Sequence, residues 1–217
     1  MQVSQYPPNG GYMKVGDIKV EALKLMFVNY SFDLGIEDLQ KMISDENYGS
    51  YIVNMNGAIA RALDRIENAC VMPLKRYEIP YEDCTVTNNF IKFDLDNVGD
   101  LYLIERITAE SEDGYDGNVG FTLEGNILLL PNTNVQFNIL YYPKVKSMTN
   151  EVLDTDDIWI PERIARLIPY FIKGDLYQEE EPDLAADARN IFEASLEDLK
   201  KPTQSKQDFV HRTFRMG

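Results

Sequence analysis

Residues 170–185 read YFIKGDLYQEEEPDLA, and this stretch decides how the C-terminal part of the chain folds. Tyr170 to Leu176 continue an apolar helical pattern, which the acidic run Glu179–Glu181 and Pro182 then interrupt. Carboxylates stabilise the positive N-terminal end of a helix, and proline is tolerated in a first helical turn. The interruption therefore predicts a second helix and an αα-hairpin whose corner is QEEEP.

The two helices of this hairpin are predicted from apolar residues at helical spacing. The first stripe contains Ile164, Leu167, Ile168, Phe171, Ile172 and Leu176; the second contains Leu184, Ala188, Ile191, Phe192, Ser195, Leu196 and Leu199. Pro161 suits the first helical position, and Pro169 should kink or split the first helix. The second helix should stop before Pro202.

The N-terminal part of the chain is also predicted to be helical, from about residue 17 to residue 72. Ile36, Leu39 and Ile43 share one face, and Ser31 and Asp33 are candidate caps for that helix. A longer helix follows, and Pro73 closes it. Its stripe is Ile52, Met55, Ile59, Ala62, Leu63, Ile66 and Cys70.

Between these helical parts, residues 75–144 change to short segments rich in Val, Ile, Phe, Tyr and Thr, which favour strands. The predicted strands are RYEIPY, CTVT, FIKFDL, LYLIERITA, GFTLE, NILLLP and VQFNILYY. FTLEGNILLL predicts a hairpin with its turn at Glu124, Gly125 and Asn126. Residues 111–120 are expected to form an exposed loop between strands. Seven short strands favour a small antiparallel domain, either sandwich-like or barrel-like.

The fold class predicted for the whole chain is α+β, with a helical bundle formed by the N- and C-terminal helices and a small antiparallel β-domain inserted between them. The expected parts are an N-terminal arm (1–16), the first half of the bundle (17–74), the β-domain (75–146), the second half of the bundle (147–200) and a C-terminal docking tail (201–217).

Composition excludes several classes of protein. No apolar run approaches the ~20 residues that span a bilayer, and the polar N-terminus resembles no signal peptide. His211 is the chain's single histidine, and Cys70 and Cys84 are expected to be reduced and buried, so a zinc site or a catalytic dyad is not favoured. No phosphate-binding loop or nucleophile elbow is present. We expect no metal and no cofactor, because helix capping explains the acidic clusters at Asp154, Asp156, Asp157 and at 179–181.

Charge is unevenly distributed. The net charge is −15, but residues 200–217 carry five Lys and Arg against Asp208 alone, a net charge of +4, which leaves −19 for residues 1–199. An acidic body argues against binding of nucleic-acid phosphates. In the basic tail, Phe209, Val210 and Phe214 alternate with Arg212 and Arg215, a mixture typical of interface anchors. The tail is therefore expected to pack on a neighbour.

Two stretches resemble the adaptor proteins of tailed bacteriophages. The first is residues 157–200, which contain IPERIARLIPYFIKGDLYQEEEPDLAADARNIFEASL at 160–196, and the second and weaker is FTLEGNILLLPNTNVQFNILYYPKV, residues 121–145. Such adaptors are head-completion proteins of the head-tail connector, particularly in short-tailed phages. Helices at both ends of the chain around an inserted β-domain are similar to the architecture of this family. The N-terminal segment 1–16 has no counterpart in the pattern and is interpreted as a candidate second docking arm.

The resemblance implies a structural protein of the virion neck, synthesised in the host cytoplasm, without enzymatic activity. Twelve subunits would form a ring beneath the portal protein, with DNA passing through the channel. By the same resemblance, Phe209, Val210, Arg212, Phe214 and Arg215 would bind the portal. Tyr115, Asp116 and Asn118 would contact tail or nozzle proteins. The alternatives are another neck or tail protein, such as a tail terminator or tube component, and a carboxylate-dependent hydrolase.

Overall fold

The computed structural model describes residues 12–27, 34–110, 116–133, 135–148 and 152–200. Its helices are α1 (Val15–Met26), α2 (Ile36–Met42), α3 (Gly49–Asn68), α4 (Glu162–Ala165), α5 (Ile168–Leu176) and α6 (Pro182–Lys200). Its strands are β1 (Met13–Lys14), β2 (Lys75–Glu78), β3 (Cys84–Val86), β4 (Phe90–Asp94), β5 (Leu101–Glu110), β6 (Asp116–Val119), β7 (Thr122–Glu124), β8 (Ile127–Pro131), β9 (Gln136–Pro143) and β10 (Asp157–Ile158).

The αα-hairpin predicted from the acidic corner is present. α5 ends before Tyr177 and α6 begins at Pro182, with the Glu181 amide donating to the Tyr177 carbonyl across the corner. Pro169 lies in the first turn of α5, so α4 and α5 are separate helices, as the sequence predicted. The Phe171 and Phe192 rings pack edge-on, with centroids 5.1 Å apart.

One hydrophobic core joins helices from the two ends of the chain. Ile18 and Leu23 of α1, Ile59 of α3, Ile172 of α5 and Phe192 of α6 all belong to it, and each is almost fully buried. The polar link between the halves is also buried. Lys19 Nζ lies 2.6 Å from Asp154 Oδ1, and the Gly16 amide donates to the Asp154 carbonyl. The α+β prediction, with a bundle built from both ends of the chain, is thus confirmed.

The inserted region is a sandwich of two four-stranded antiparallel sheets. Their strand orders are β2-β9-β5-β6 and β3-β4-β8-β7. Inward residues of both sheets form one core, which includes Ile91, Phe93, Leu128, Ile107 and Ile139. All seven predicted segments contain strands, and Gly125 has a φ of +62° in the turn between β7 and β8. This positive φ favours glycine, as the hairpin prediction required.

Several sequence-based expectations were wrong. Residues 116–119 of the expected loop form β6, which pairs with Ile107–Glu110 of β5. Leu184 and Ile191 are about half exposed, because Ala185, Ala188, Phe192 and Leu196 form the buried face of α6. Cys70 lies beyond the end of α3 with a φ of 53°. Cys70 and Cys84 are half-buried rather than buried.

The acidic cluster at 154–157 does not cap a helix. Asp154 pairs with Lys19, the Asp156 carboxylate accepts from the Leu153 amide, and Asp157 belongs to β10, which pairs with β1. Lys14 stands opposite Asp157 in this ribbon, and α1 starts at Val15. The boundary predicted between the N-terminal arm (1–16) and the first half of the bundle (17–74) therefore lies inside α1. Ser31 and Asp33 lie outside the described residues, and Gly35 precedes α2.

Candidate functional site

The acidic corner forms one wall of an open groove with a volume of about 730 Å³. We call it the corner groove. The facing wall is α3, whose residues lie more than a hundred positions earlier in the chain. The groove is lined by Val53, Asn54, Asn56, Gly57, Arg61, Asp175, Leu176, Gln178, Glu179 and Glu180.

Hydrogen bonds fix the two walls of the corner groove against each other. Arg61 of α3 donates to Asp175 of α5, and the Tyr51 hydroxyl of α3 donates to the Glu180 carboxylate. Burial of the phenol, together with the bond to Glu180, raises the pKa of Tyr51, so this hydroxyl stays protonated and remains a donor at neutral pH. The positions of the groove's carboxylates are thereby set by the fold.

The corner groove combines apolar surface with acceptors. Val53 is 64% exposed, and Gly57 contributes no side chain, so apolar and backbone surface is open to a partner. Glu179 forms no ion pair with a described residue. Among the described residues, the Asn56 Oδ1 atom is buried and accepts no hydrogen bond. With Asp175 already paired to Arg61, the groove presents an uncompensated negative charge, which suits a cationic group beside an apolar or aromatic one.

A second surface lies before the start of α5 and carries charged side chains of both signs. In the segment 157–166, Ile158, Ile160, Ile164 and Ala165 are buried, so the outward side chains are Asp157, Trp159, Glu162, Arg163 and Arg166. Trp159 is 58% exposed, and its ring lies 5.0 Å from that of Tyr12. Arg166 pairs with Glu162, while Arg163 pairs with no described residue. We call these outward residues, Asp157, Trp159, Glu162, Arg163 and Arg166, together with Tyr12, the tryptophan patch.

The residues predicted from the sequence to bind partners are placed only in part. Phe209, Val210, Arg212, Phe214, Arg215 and Tyr115 lie outside the described residues. Asp116 begins β6, opposite Glu110, and Asn118 stands opposite Thr108. Tyr102, near the start of β5, donates to Asn68 at the end of α3. Residue 110 is eight positions further along the strand, roughly 26 Å away, so the Glu110–Asp116 pair is at the end of the sandwich remote from the bundle.

Within the described residues, no group of three or more His, Cys, Asp or Glu side chains is placed to hold a metal ion. Burial raises the pKa of both the Cys70 and the Cys84 thiols, which disfavours the nucleophilic thiolate. His211 lies outside the described part of the chain. None of the described helices is both long and apolar enough to cross a bilayer.

Sequence reasoning missed the corner groove and the tryptophan patch. The groove depends on the contact between α3 and the α5–α6 corner, which no local pattern reveals. An available signal for the patch was Trp159, the chain's single tryptophan, which stands between Ile158 and Ile160, both buried. A scan of protein-family models finds no match to this chain, and a search of curated proteins finds no significantly similar sequence. The resemblance to phage adaptors therefore stays a prediction.

Proposed function

We propose that this protein is a structural subunit of the bacteriophage neck, which forms an adaptor ring between the portal and the tail. The observation that carries the proposal is the architecture. A bundle assembled from both ends of the chain holds a β-sandwich that leaves from the end of α3 and returns before α4. This arrangement is similar to that of the phage adaptors, which the pattern at residues 160–196 resembles.

The charge distribution supports the same role. Residues 1–199 carry a net charge of −19, and DNA that passes an acidic wall finds few Lys and Arg side chains to bind its phosphates. The basic segment 200–217 is complementary to acidic surfaces, and its aromatic and Arg residues are typical anchors at protein interfaces. In this proposal the segment docks on the portal.

The sandwich supplies a separate surface for the tail side of the neck. Glu110 of β5 and Asp116 of β6, which flank the β5–β6 connection in the sequence, pair at the end of β5 remote from the Tyr102–Asn68 contact with the bundle. Partners that bind this connection would not compete with contacts made by the helices. We assign to it the contact with tail or nozzle proteins.

The proposal is tested by mixing the purified chain with the portal protein of the same phage and imaging the complex by electron cryomicroscopy. A ring of additional density beneath the portal is expected, with helices toward the portal and the sandwich away from it. Absence of added density contradicts the proposal. Density at the end of a tail tube, in a parallel mixture with tube protein, would instead support a tail-terminator role.

A further inference from the structure

The geometry points to a head-to-tail contact in which the tryptophan patch of one copy of this chain docks into the corner groove of a second copy. The inference rests on the ring of the proposed function and names the two surfaces that would build it. Both surfaces consist of described residues, and neither involves the C-terminal tail.

The two surfaces cannot meet within one molecule. The tryptophan patch precedes α5, and the corner groove begins at Asp175 in its last turn, so most of the length of α5, about 13 Å, separates them. α5 is packed in the bundle core through Ile168 and Ile172, which fixes this separation. When two different, complementary surfaces lie at separate ends of a rigid subunit, they form a heterologous contact between neighbouring copies. The contact repeats from copy to copy and gives a closed ring if the rotation that relates neighbours adds up to a full turn.

The chemistry of the two surfaces matches. Trp159 offers a large, half-exposed ring, and the groove offers Val53 and the bare backbone at Gly57. Arg163 lacks a carboxylate partner on the patch, and Glu179 lacks a cation in the groove, among the residues that the structure describes. Aromatic and Arg residues supply most of the binding energy at protein interfaces, while the charges set orientation.

Trp159 provides a direct measurement, because it is the chain's single tryptophan. We expect its fluorescence emission to shift to shorter wavelength as protein concentration rises, in step with larger species in sedimentation velocity. The variant Glu179→Lys/Glu180→Gln should weaken association roughly tenfold or more. The glutamine introduced by Glu180→Gln keeps an acceptor for the Tyr51 hydroxyl, and Trp159 is unchanged in this variant. The control Glu82→Lys/Glu124→Gln makes the same net charge change on the sandwich and should associate like the wild type.

A mixing experiment tests the head-to-tail geometry. The patch variant Arg163→Glu/Arg166→Gln should associate as weakly alone as the groove variant does, while both keep the melting temperature of the wild type within a few degrees. Together they should form at least a dimer, since one keeps an intact groove and the other an intact patch. A mixture that stays monomeric, or a wild-type emission independent of concentration, overturns the inference.

A measurement of portal binding by the wild type and by both variants distinguishes a failure of the head-to-tail contact from a failure of the proposed function. If the chain docks on the portal and both variants assemble there as well as the wild type, the adaptor role stands and the head-to-tail contact is wrong. If groove and patch variants lose association but the wild type never binds the portal, the contact stands and the adaptor role is wrong.

Discussion

Lys19 and Asp154 form an ion pair whose side chains are only 6% and 12% exposed, and they tie α1 to the chain that returns from the sandwich. Removing one partner of a buried pair leaves an uncompensated charge. We expect Lys19→Met to lower the free energy of unfolding by about 3 kcal/mol, measured by urea denaturation. The double variant Lys19→Met/Asp154→Leu should recover most of this loss. Equal losses in the single and double variants would contradict a charge-based explanation.

Asp100 should make stability depend on pH. Burial opposes ionisation of its carboxyl group, but hydrogen bonds from Lys75 (2.6 Å) and Tyr141 (2.7 Å) outweigh this and lower the pKa of Asp100. Because the unfolded chain then binds the proton more readily, the stabilisation is fully present above the ordinary carboxyl pKa of about 4 and is lost as pH falls through the lower folded value.

Urea denaturation of the wild type and of Asp100→Asn between neutral pH and pH 3 checks this expectation. The stability difference between the two proteins should be largest at neutral pH and should shrink below about pH 4. Tyr141→Phe serves as a second variant, because it removes one of the two hydrogen bonds without changing charge. A difference that is constant over the whole range would show that Asp100 has an ordinary pKa in the folded protein.

At the scale of the helices, two glycines inside helices should respond in opposite ways to alanine. A Cβ at Gly174 of α5 would lie 2.6 Å from Arg189 Cγ and 3.1 Å from the Ala185 carbonyl of α6, so the hairpin would have to open. A Cβ at Gly57 of α3 would lie 3.3 Å from Arg61 Nη1, a contact that a shift of a few tenths of an ångström at the end of this side chain relieves. We expect Gly174→Ala to cost about 1–3 kcal/mol. Gly57→Ala should gain roughly 0.5–1 kcal/mol.

Thermal and urea unfolding of the two alanine variants measure these signs. A destabilising Gly57→Ala would mean that Arg61 cannot move away, and a neutral Gly174→Ala would mean that α5 and α6 are less tightly packed than the distances indicate. Gly57→Ala also bears on the head-to-tail contact, since a methyl group on the groove wall should weaken association even while it stabilises the single chain.

The sequence predicted where helices and strands occur better than it predicted which of their faces are buried and which elements they pack against. Pro169 and Pro182 act locally, so the division of α5 from α4 and the start of α6 could be read directly. β6 was missed because Asp116, Gly117 and Asn118 are turn formers, and only pairing with β5 makes them a strand. Leu184 and Ile191 were assigned to the core because apolar character alone does not say which side of α6 faces α5.

The corner groove shows the limit of reading from sequence. Its acidic residues were visible as a run, and helix capping was sufficient to explain them. What makes them a candidate site is the opposite wall, formed by Val53, Gly57 and Arg61 from α3. A contact across more than a hundred residues leaves no signature in one sequence.

For the whole molecule, the decisive segment under the proposed function is the basic tail. Deletion of residues 203–217 should abolish portal binding and leave the melting temperature unchanged. Pull-down on immobilised portal measures the first effect and differential scanning calorimetry the second. A charge-only variant, Arg212→Gln/Arg215→Gln, should weaken binding most strongly at low salt. A large fall in melting temperature on deletion would show that the tail stabilises the chain's own fold, contrary to the proposal.

The entry and exit of the sandwich lie side by side, since Lys75 at the start of β2 pairs with Tyr141 near the end of β9. This pairing has a kinetic consequence. Until it forms, α3 and α5 are ends of a long flexible loop whose closure costs entropy; afterwards they are held close together. The sandwich should therefore fold first, and the bundle should form once the sandwich holds α3 and α5 close together. In pulse-labelling hydrogen exchange, amides of β2, β5 and β9 should gain protection before those of α3 and α5, and the reverse order would contradict this folding sequence.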